Sequence, residues 1–417
     1  MDSKRNKSKV IIRYYYDRVS RDVGNFLKWI ALAVLTGLVV GGASSIFAGC
    51  IKWVTEYRNN NIWVFMLLPI VGVAIVFMYQ IIDPHDGGTN QVLSTIRSRG
   101  DVPLKAAPLI FVSTLLTHLT GGSAGREGAS IQFGGSIGNW LGKLVKLDEF
   151  DHHVMIMCGM SAAFAAVFGT PMAAAVFAME VVSVGVMYYA AMLPCVVASI
   201  IAAEFATGMG ISPETFSVTR IPALTVESGF KMAIISVGCA MVSIMFCIAL
   251  KFVAKIYGKY LKNLYVRVFV AGCVVIAITM ILNTKDYMGA GNELIARAIE
   301  TGQARPLDFL WKMILTAVTM RAGYRGGEIV PAFSVGATFG CVAGQLLGFQ
   351  PELAAAAGMV ALFCGVTNCP ITSMLISFEL FGFSGAAYYL IAISISYALS
   401  GYYSLYKDQT IVYSKYK

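Results

Sequence analysis

Charge is what this sequence is short of. Asp, Glu, Lys and Arg make up 13% of its 417 residues, about half the share found in a soluble globular chain. Hydrophobic residues make up 57%, so a polar surface of ordinary size cannot be built and much of the exterior must face lipid. Enzymatic chemistry is scarce too. The four histidines are His85, His118, His152 and His153, with no His-Glu-x-x-His. A membrane-embedded enzyme, the remote alternative, needs a nucleophile–base pair or a metal cluster. Paired thiols are also missing: nine cysteines (50, 158, 195, 239, 247, 273, 341, 364 and 369) form no Cys-x-x-Cys and lie almost entirely in apolar stretches. They read as small core hydrophobes, with no disulfide framework, metal site or cofactor expected.

The basic residues are placed by topology. Lys4, Arg5, Lys7, Lys9, Arg13, Arg18 and Arg21 precede an apolar run that begins near Phe26 and is too long for a cleavable leader. Such a lead stays cytoplasmic. Lys251, Lys255, Lys259, Lys262 and Arg267 belong on the same side, as do Lys407, Lys415 and Lys417 near the other end. The expectation is a multi-pass protein of the cell membrane with both termini cytoplasmic. Residues 1–25 form a basic cytoplasmic segment and 26–417 a single transmembrane domain, with no cytoplasmic regulatory domain. The net charge of +9 suits anionic lipid headgroups and helps concentrate anions at a pore mouth. Because the basic residues flank apolar runs and line no single face, nucleic acid is not an expected partner.

The apolar segments are uneven. Runs near 26–49, 63–82, 106–120, 187–207, 229–253, 265–282, 309–320 and 384–401 cross or nearly cross a bilayer, at about 20 residues per span. Others, near 125–146, 154–168, 171–185, 330–347, 354–366 and 370–382, are short and broken by Gly or Pro. Broken helices are tolerated in a membrane only where the freed backbone is buried in protein or lines a wet cavity. They also recur. Gly159-Met160, Phe164, Pro171 and Glu180 return as Gly358-Met359, Phe363, Pro370 and Glu379, each 199 residues later. Gly125-Arg126-Glu127-Gly128 and Gly326-Gly327-Glu328 sit upstream of the two copies. The chain therefore reads as two halves, about 26–208 and 229–401, followed by a segment 402–417. Paired, interrupted segments of this kind point to a transporter site, commonly between inverted repeats.

Gly-rich breaks place helix N-termini inside the protein, where free N–H groups and the positive dipole end attract anions. Three stand out: Gly87-Gly88-Thr89-Asn90-Gln91, Gly121 to Gly128, and Gly326-Gly327-Glu328-Ile329-Val330-Pro331. N-termini converging on one point would bind an anion without a full charge to trap it. Gly37, Gly41 and Gly42 read instead as close helix packing. Glu127, an acid among glycines between membrane-length segments, is the sharpest functional candidate. A carboxylate there can occupy an anion site as a tethered anion and leave it on protonation. Pairing with Arg126 is not expected, because adjacent helical residues point about 100° apart. Glu180 and Glu379 are expected to bond backbone or Arg rather than relay protons, and His118 to be a hydrogen-bonded core residue. Asn368, at a break before Pro370, is a candidate polar filter element. For Glu328 the structural alternative is capping a neighbouring helix.

Gly125-Arg126-Glu127-Gly128-Ala129-Ser130-Ile131-Gln132 resembles the Gly-Arg/Lys-Glu-Gly-Pro signature of the CLC family of anion channels and anion/proton exchangers, whose glutamate is the gating acid. Gly326 to Pro331 resembles the family's Gly-x-Phe-x-Pro segment, Gly87-Gly88-Thr89-Asn90 falls where Gly-Ser-Gly-Ile-Pro stands, and Ile411-Val412-Tyr413-Ser414 is similar to the segment bearing the pore tyrosine. The resemblance runs from about residue 30 to 414. It implies an all-α membrane protein, an inverted repeat with many tilted and broken helices, assembled as a homodimer with one pore per subunit. The departures are Thr89-Asn90 for the coordinating serine, Ala129 for proline, Ile329 for phenylalanine, an added Glu328, and Val181 where exchangers carry an inner proton glutamate. They resemble the fluoride-exporting branch. The implied function is fluoride/proton antiport. Glu127 and Glu328 would handle gating and protons, and Thr89, Asn90, Gly128, Ile329, Val330 and Tyr413 would contact the anion. Chloride/proton exchange and passive anion conduction are the alternatives.

Overall fold

A computed structural model describes residues 2–98 and 100–415, with side chains from Tyr16 onward. Lys417 and the side chains of Lys4, Arg5, Lys7, Lys9 and Arg13 lie outside the described residues. The described residues form sixteen α-helices in two runs of eight. The first run is α1 (Asp2–Asn60), α2 (Leu68–Ile82), α3 (Thr89–Arg97), α4 (Ala106–Leu119), α5 (Glu127–Leu144), α6 (Glu149–Phe168), α7 (Pro171–Glu180) and α8 (Met192–Gly208). The second is α9 (Val226–Tyr260), α10 (Leu264–Leu282), α11 (Asn292–Glu300), α12 (Asp308–Ala322), α13 (Ile329–Leu346), α14 (Pro351–Thr367), α15 (Pro370–Phe381) and α16 (Ala386–Leu399). Each helix of the first run has its counterpart in the second.

The helix starts follow from local chemistry. Pro171 and Pro370 open α7 and α15, where their fixed φ suits the first turn and no N–H is lost. Asp148 caps α6 by accepting from Asp151 N–H at 2.9 Å, and Thr225 and Ser228 form a capping box on α9. Among the described residues, seven helical segments are long and apolar enough to cross a membrane, including α1, α6, α9, α10 and α13. Two expectations change here. The segments of α6 and α13, read as short and broken, are continuous helices of 20 and 18 residues. Conversely α4, α12 and α16 have only 14 or 15 residues, about 21–22 Å of rise against a hydrocarbon core of about 30 Å. The boundary expected at residue 25 falls inside α1, which runs 59 residues without a break. Nothing between Asp2 and Phe26 stops a helix: there is no proline, and Gly24 has open space around it.

Small residues set the packing within each half. A Cβ on Gly134 would lie 2.2 Å from Gly159 O, and one on Gly336 would lie 2.5 Å from Gly358 O. So α5 crosses α6, and α13 crosses α14, backbone to backbone. Gly37 and Gly41 likewise face Ala198 and Ala202, closing α1 on α8. The halves meet through reciprocal contacts between equivalent positions. Glu180 accepts from Ile371 N–H (3.0 Å) and Thr372 N–H (2.8 Å), while Glu379 accepts from Met172 and Ala173 N–H (both 2.9 Å). Each acid thus caps the other half's short helix. Mutual exchange between equivalent residues is the mark of a two-fold relation. The halves are thus related by an approximate two-fold axis, as an inverted repeat requires.

Beyond α16 the chain folds back along the seam. Its strand β2 (Thr410–Ile411) pairs in parallel with β1 (Ser183–Val184), Ser183 opposite Thr410. Lys415 Nζ donates to Asn368 Oδ1 (2.6 Å), Tyr397 O (3.0 Å) and Ser400 Oγ (3.1 Å). That pins the tail to the ends of α14 and α16.

Candidate anion site and gate

The two Gly-rich breaks meet at the centre. Gly125 N–H donates to Gly327 O at 2.8 Å and Gly327 N–H to Gly125 O at 2.7 Å, an isolated antiparallel bridge. Two residues on from it, α5 and α13 begin. Gly128 has to be glycine: a Cβ would sit 2.8 Å from Gly327 Cα. The third break joins them, because Thr89 Oγ1 donates to Gly128 O at 3.2 Å. Gly88, with φ +64°, makes the turn into α3 that brings Thr89 there. Three helix N-termini thus converge, as the glycines implied. Gly128, Ile329 and Val330 are buried in the first turns of α5 and α13.

Glu127, the first residue of α5, is fully buried. Its Oε1 lies 3.2 Å from Arg126 Nε, and its Oε2 accepts the Arg126 N–H at 3.1 Å. The expected absence of this ion pair is therefore wrong. Arg126 is the cap residue before the helix, not a residue within it, so the helical 100° step does not separate the two side chains. Arg126 also reaches Glu214, Nη2 to Oε1 at 2.8 Å. Glu328 caps the start of α13 rather than lying inside it, and pairs with Arg321 Nη2 at 3.3 Å. Arg325, the next cation, pairs with Asp86 at 2.8 Å and lies 3.8 Å over the Tyr79 ring. Each of these three arginines thus has a carboxylate partner, which leaves the helix ends as the attraction for an anion.

Tyr413 does not reach this junction. It is 65% exposed and packs against Gly185 beside the β1–β2 pair. Tyr406, 5% exposed, is buried instead, with Glu328 among its charged neighbours. The following N–H, of Lys407, donates to Asn90 Oδ1 at 2.9 Å, so Asn90 ties the tail to α3. Asn368 closes α14 in the left-handed region (φ +59°) and bonds Tyr403 O, Gln409 and Lys415. It is a structural hub in the tail. His118 is a buried core residue whose ring meets the backbone of Gly125 while Nε2 has no partner, and its carbonyl accepts from Arg58 Nη1 at 2.9 Å. Val181, at the position of the inner proton glutamate, is buried and its carbonyl accepts from Gln409.

Ser123 and Lys312 form a buried pair at 3.1 Å. Lys312 Nζ donates as well to Tyr287 O (3.0 Å) and Gly289 O (2.7 Å), so its three N–H groups all have acceptors.

Two cavities flank the junction. One, of about 500 Å³, is lined by residues at the end of α1, by Arg126 and Glu214, and by the loop before α11. The other, of about 140 Å³, is lined by Lys251, Arg321, Ser404 and Lys407, among others. An aromatic row ties the helices of the two halves together: Phe333 stacks on Phe168 at 5.6 Å and contacts Phe363 at 5.0 Å. Glu214 and Tyr406 were not legible as site residues. For Tyr406 the only signal was the apolar Leu405 beside it.

Residues 71–401 match the family described as voltage gated chloride channel. The chain is 33% identical over 399 residues to a chloride/fluoride channel protein of Pseudomonas syringae pv. tomato, covering 93% of this chain and 88% of that one. Among solved structures it is similar to a CLC-type fluoride/proton antiporter, with TM-score 0.88, 30% identity, and coverage of 93% and 98% of the two chains. A slow cyanobacterial Cl−/H+ antiporter shares the fold, with TM-score 0.77 at 18% identity, covering 89% of this chain and 94% of the other.

Proposed function

This chain belongs to the voltage-gated chloride channel (CLC) family of membrane anion-transport proteins, and we propose that it is a fluoride/proton antiporter that exports fluoride from the cytoplasm. The observation that carries the reading is the junction itself: three helix N-termini, Arg126, Arg321 and Arg325 each paired with a carboxylate, and one fully buried carboxylate, Glu127, at the first turn of α5. Fluoride is small, strongly hydrated and a strong hydrogen-bond acceptor. The Asn90 amide and the backbone N–H groups of Gly128, Ile329 and Val330 offer donors in place of a wide cradle, and the Thr89 hydroxyl adds another when it turns from Gly128 O to the ion. The names of the two relatives at 30% identity or more, one a chloride/fluoride channel protein and one a fluoride/proton antiporter, support the same choice of ion.

Glu127 alternates between blocking the anion path and carrying a proton. Glu328, whose side chain is 20% exposed, pairs with Arg321, which lines the 140 Å³ cavity, and exchanges protons on that side. Tyr406, rather than Tyr413, bounds that end of the path. Lys251 on α9 lines this cavity, and Lys255, Lys259 and Lys262 follow it at the helix end, so by the bias of Lys and Arg in segments flanking a span it faces the cytoplasm. The 500 Å³ cavity then opens outside, and both termini lie inside, in the cell membrane. Residues 26–417 act as one transmembrane domain, and two subunits assemble as a homodimer with a pore in each.

The test is purified protein in liposomes loaded with potassium fluoride or potassium chloride, followed by anion-selective and pH electrodes together. Fluoride efflux with opposed proton entry and little chloride flux is the expected result. Comparable chloride flux removes the selectivity role from Thr89 and Asn90. Fluoride efflux without proton movement makes the protein a channel, and proton-coupled flux that persists in Glu127→Gln refutes the role of Glu127.

A further inference from the structure

The linker between the halves, residues 209–225, has no counterpart in either repeat, yet it delivers a carboxylate to the gate. Gly169 accepts Pro213 so closely that a Cβ there would lie 2.6 Å from Pro213 Cα. Three residues on, Phe216 N–H donates to Leu380 O at 3.0 Å. Glu214 is held between these anchors, and its Oε1 accepts from Arg126 Nη2 and from Asn292 Nδ2, both at 2.8 Å. Arg126 is thereby shared, its Nε on Glu127 and its Nη2 on Glu214 and on Val167 O at 3.3 Å. Glu214 lines the 500 Å³ cavity and Glu127 does not.

We propose that Glu214 is a positioning residue that sets how readily Glu127 is released, by competing with it for Arg126. The inference rests on the reading of Glu127 as the proton-carrying gate. A guanidinium stays charged in a protein, so it cannot pass a proton between the two acids; it can only divide its attraction. With Glu214 in place, part of that attraction is spent outside the gate, and Glu127 is neutralised and freed at a less acidic pH. Without the Glu214 charge, Arg126 holds Glu127 as a carboxylate more strongly, and one source of like-charge repulsion is gone. Both effects move protonation of Glu127 toward acid.

Other charged groups face the triad from every side. Arg58 at the end of α1 and Lys312 on α12 are basic, and the His118 ring on α4 is a buried neutral imidazole. In the loop before α11 and at its start, Lys285, Asp286 and Glu293 line the same cavity. Asp286 is taken up by Arg297 at 2.9 Å and Arg305 at 3.5 Å. That leaves Glu214 as the carboxylate bonded to Arg126 besides Glu127.

The experiment measures fluoride efflux and proton uptake by the full-length protein in liposomes across pH, for wild type, Glu214→Gln, Glu214→Ala, Glu214→Asp and Glu127→Gln. The expected result is an acid shift of the half-maximal pH by about one unit in Glu214→Gln and Glu214→Ala, the effect of a neighbouring charge at this range. Glu214→Asp keeps the wild-type midpoint. A wild-type midpoint in both the Gln and Ala variants, at whatever rate, overturns the proposal while Glu127→Gln remains uncoupled. If Glu127→Gln itself keeps proton-coupled flux, the gate reading fails and this inference falls with it.

Discussion

A single methyl group added at Gly128 tests the junction most directly. The new Cβ would stand 2.8 Å from Gly327 Cα, whereas carbons rest about 3.5–4.0 Å apart. The starts of α5 and α13 must therefore separate by about 0.7–1.2 Å. The two bridge hydrogen bonds, now 2.8 and 2.7 Å, would stretch beyond hydrogen-bonding range at about 3.5–4.0 Å. Overpacking costs about 1–3 kcal/mol, and each lost backbone bond about 0.5–1.5 kcal/mol, so Gly128→Ala should destabilise by about 2–6 kcal/mol. The control is Gly258→Ala in α9, where nothing lies within 4 Å of the added carbon. It should be neutral or stabilise by about 0.5–1 kcal/mol, the helix preference for alanine. Thermal melting in detergent reads the stability difference, and fluoride efflux from liposomes reads the site. Gly128→Ala should melt well below Gly258→Ala and lose nearly all flux at temperatures where it remains folded. Wild-type melting and flux in Gly128→Ala would refute the claim that the two breaks close directly on each other.

Three further outcomes follow from contacts already described. Glu180→Ala removes the partner of two N–H groups and of the Thr372 hydroxyl at 2.6 Å, and should destabilise by about 3–5 kcal/mol. Combined with Glu379→Ala it should be less than additive in thermal melting, because both acids secure the same contact of α7 with α15. Tyr406→Phe should lower fluoride flux by about tenfold, roughly the worth of one hydrogen bond, while Tyr413→Phe, exposed beside Gly185, should leave it unchanged. Asp86→Asn takes the counter-charge from Arg325, whose nearest support is then the Tyr79 ring at 3.8 Å. A bare cation beside the path should hold the anion longer, giving tighter apparent fluoride affinity with slower turnover in an efflux assay.

The helix pairing was legible where chemistry repeats and obscure where only placement decides. Pro171 and Pro370, with Glu180 and Glu379, recur at 199 residues because each half caps the other's short helix, so both members must be kept. Upstream the spacing is different. The pairs α4 and α12, α5 and α13, and α6 and α14 begin 202 residues apart, because α14 is three residues shorter than α6. Reading one spacing along the whole chain, or matching acid to acid, hides that step. Tyr406 and Tyr413 could not be told apart in sequence, since the tail carries four tyrosines between 402 and 413 and only its fold-back along the seam decides which is buried. Glu214 lies in the linker, and a repeat alignment says nothing about a segment outside both repeats.

The 202-residue step also changes what the two acids are. Gly125 is equivalent to Gly327, Arg126 to Glu328, and Glu127 to Ile329, so Glu127 and Glu328 do not occupy matching positions. One acid is the first residue of its helix and is sealed; the other is the cap before its helix and is 20% exposed on its side chain. A perfect two-fold frame would give the junction two equal mouths and no preferred end for a proton. Displacing one acid by a single residue leaves a buried carboxylate that must wait for its proton and an open one that can exchange with water. On the proposed antiport reading, a symmetric scaffold thereby acquires the direction that coupled transport requires.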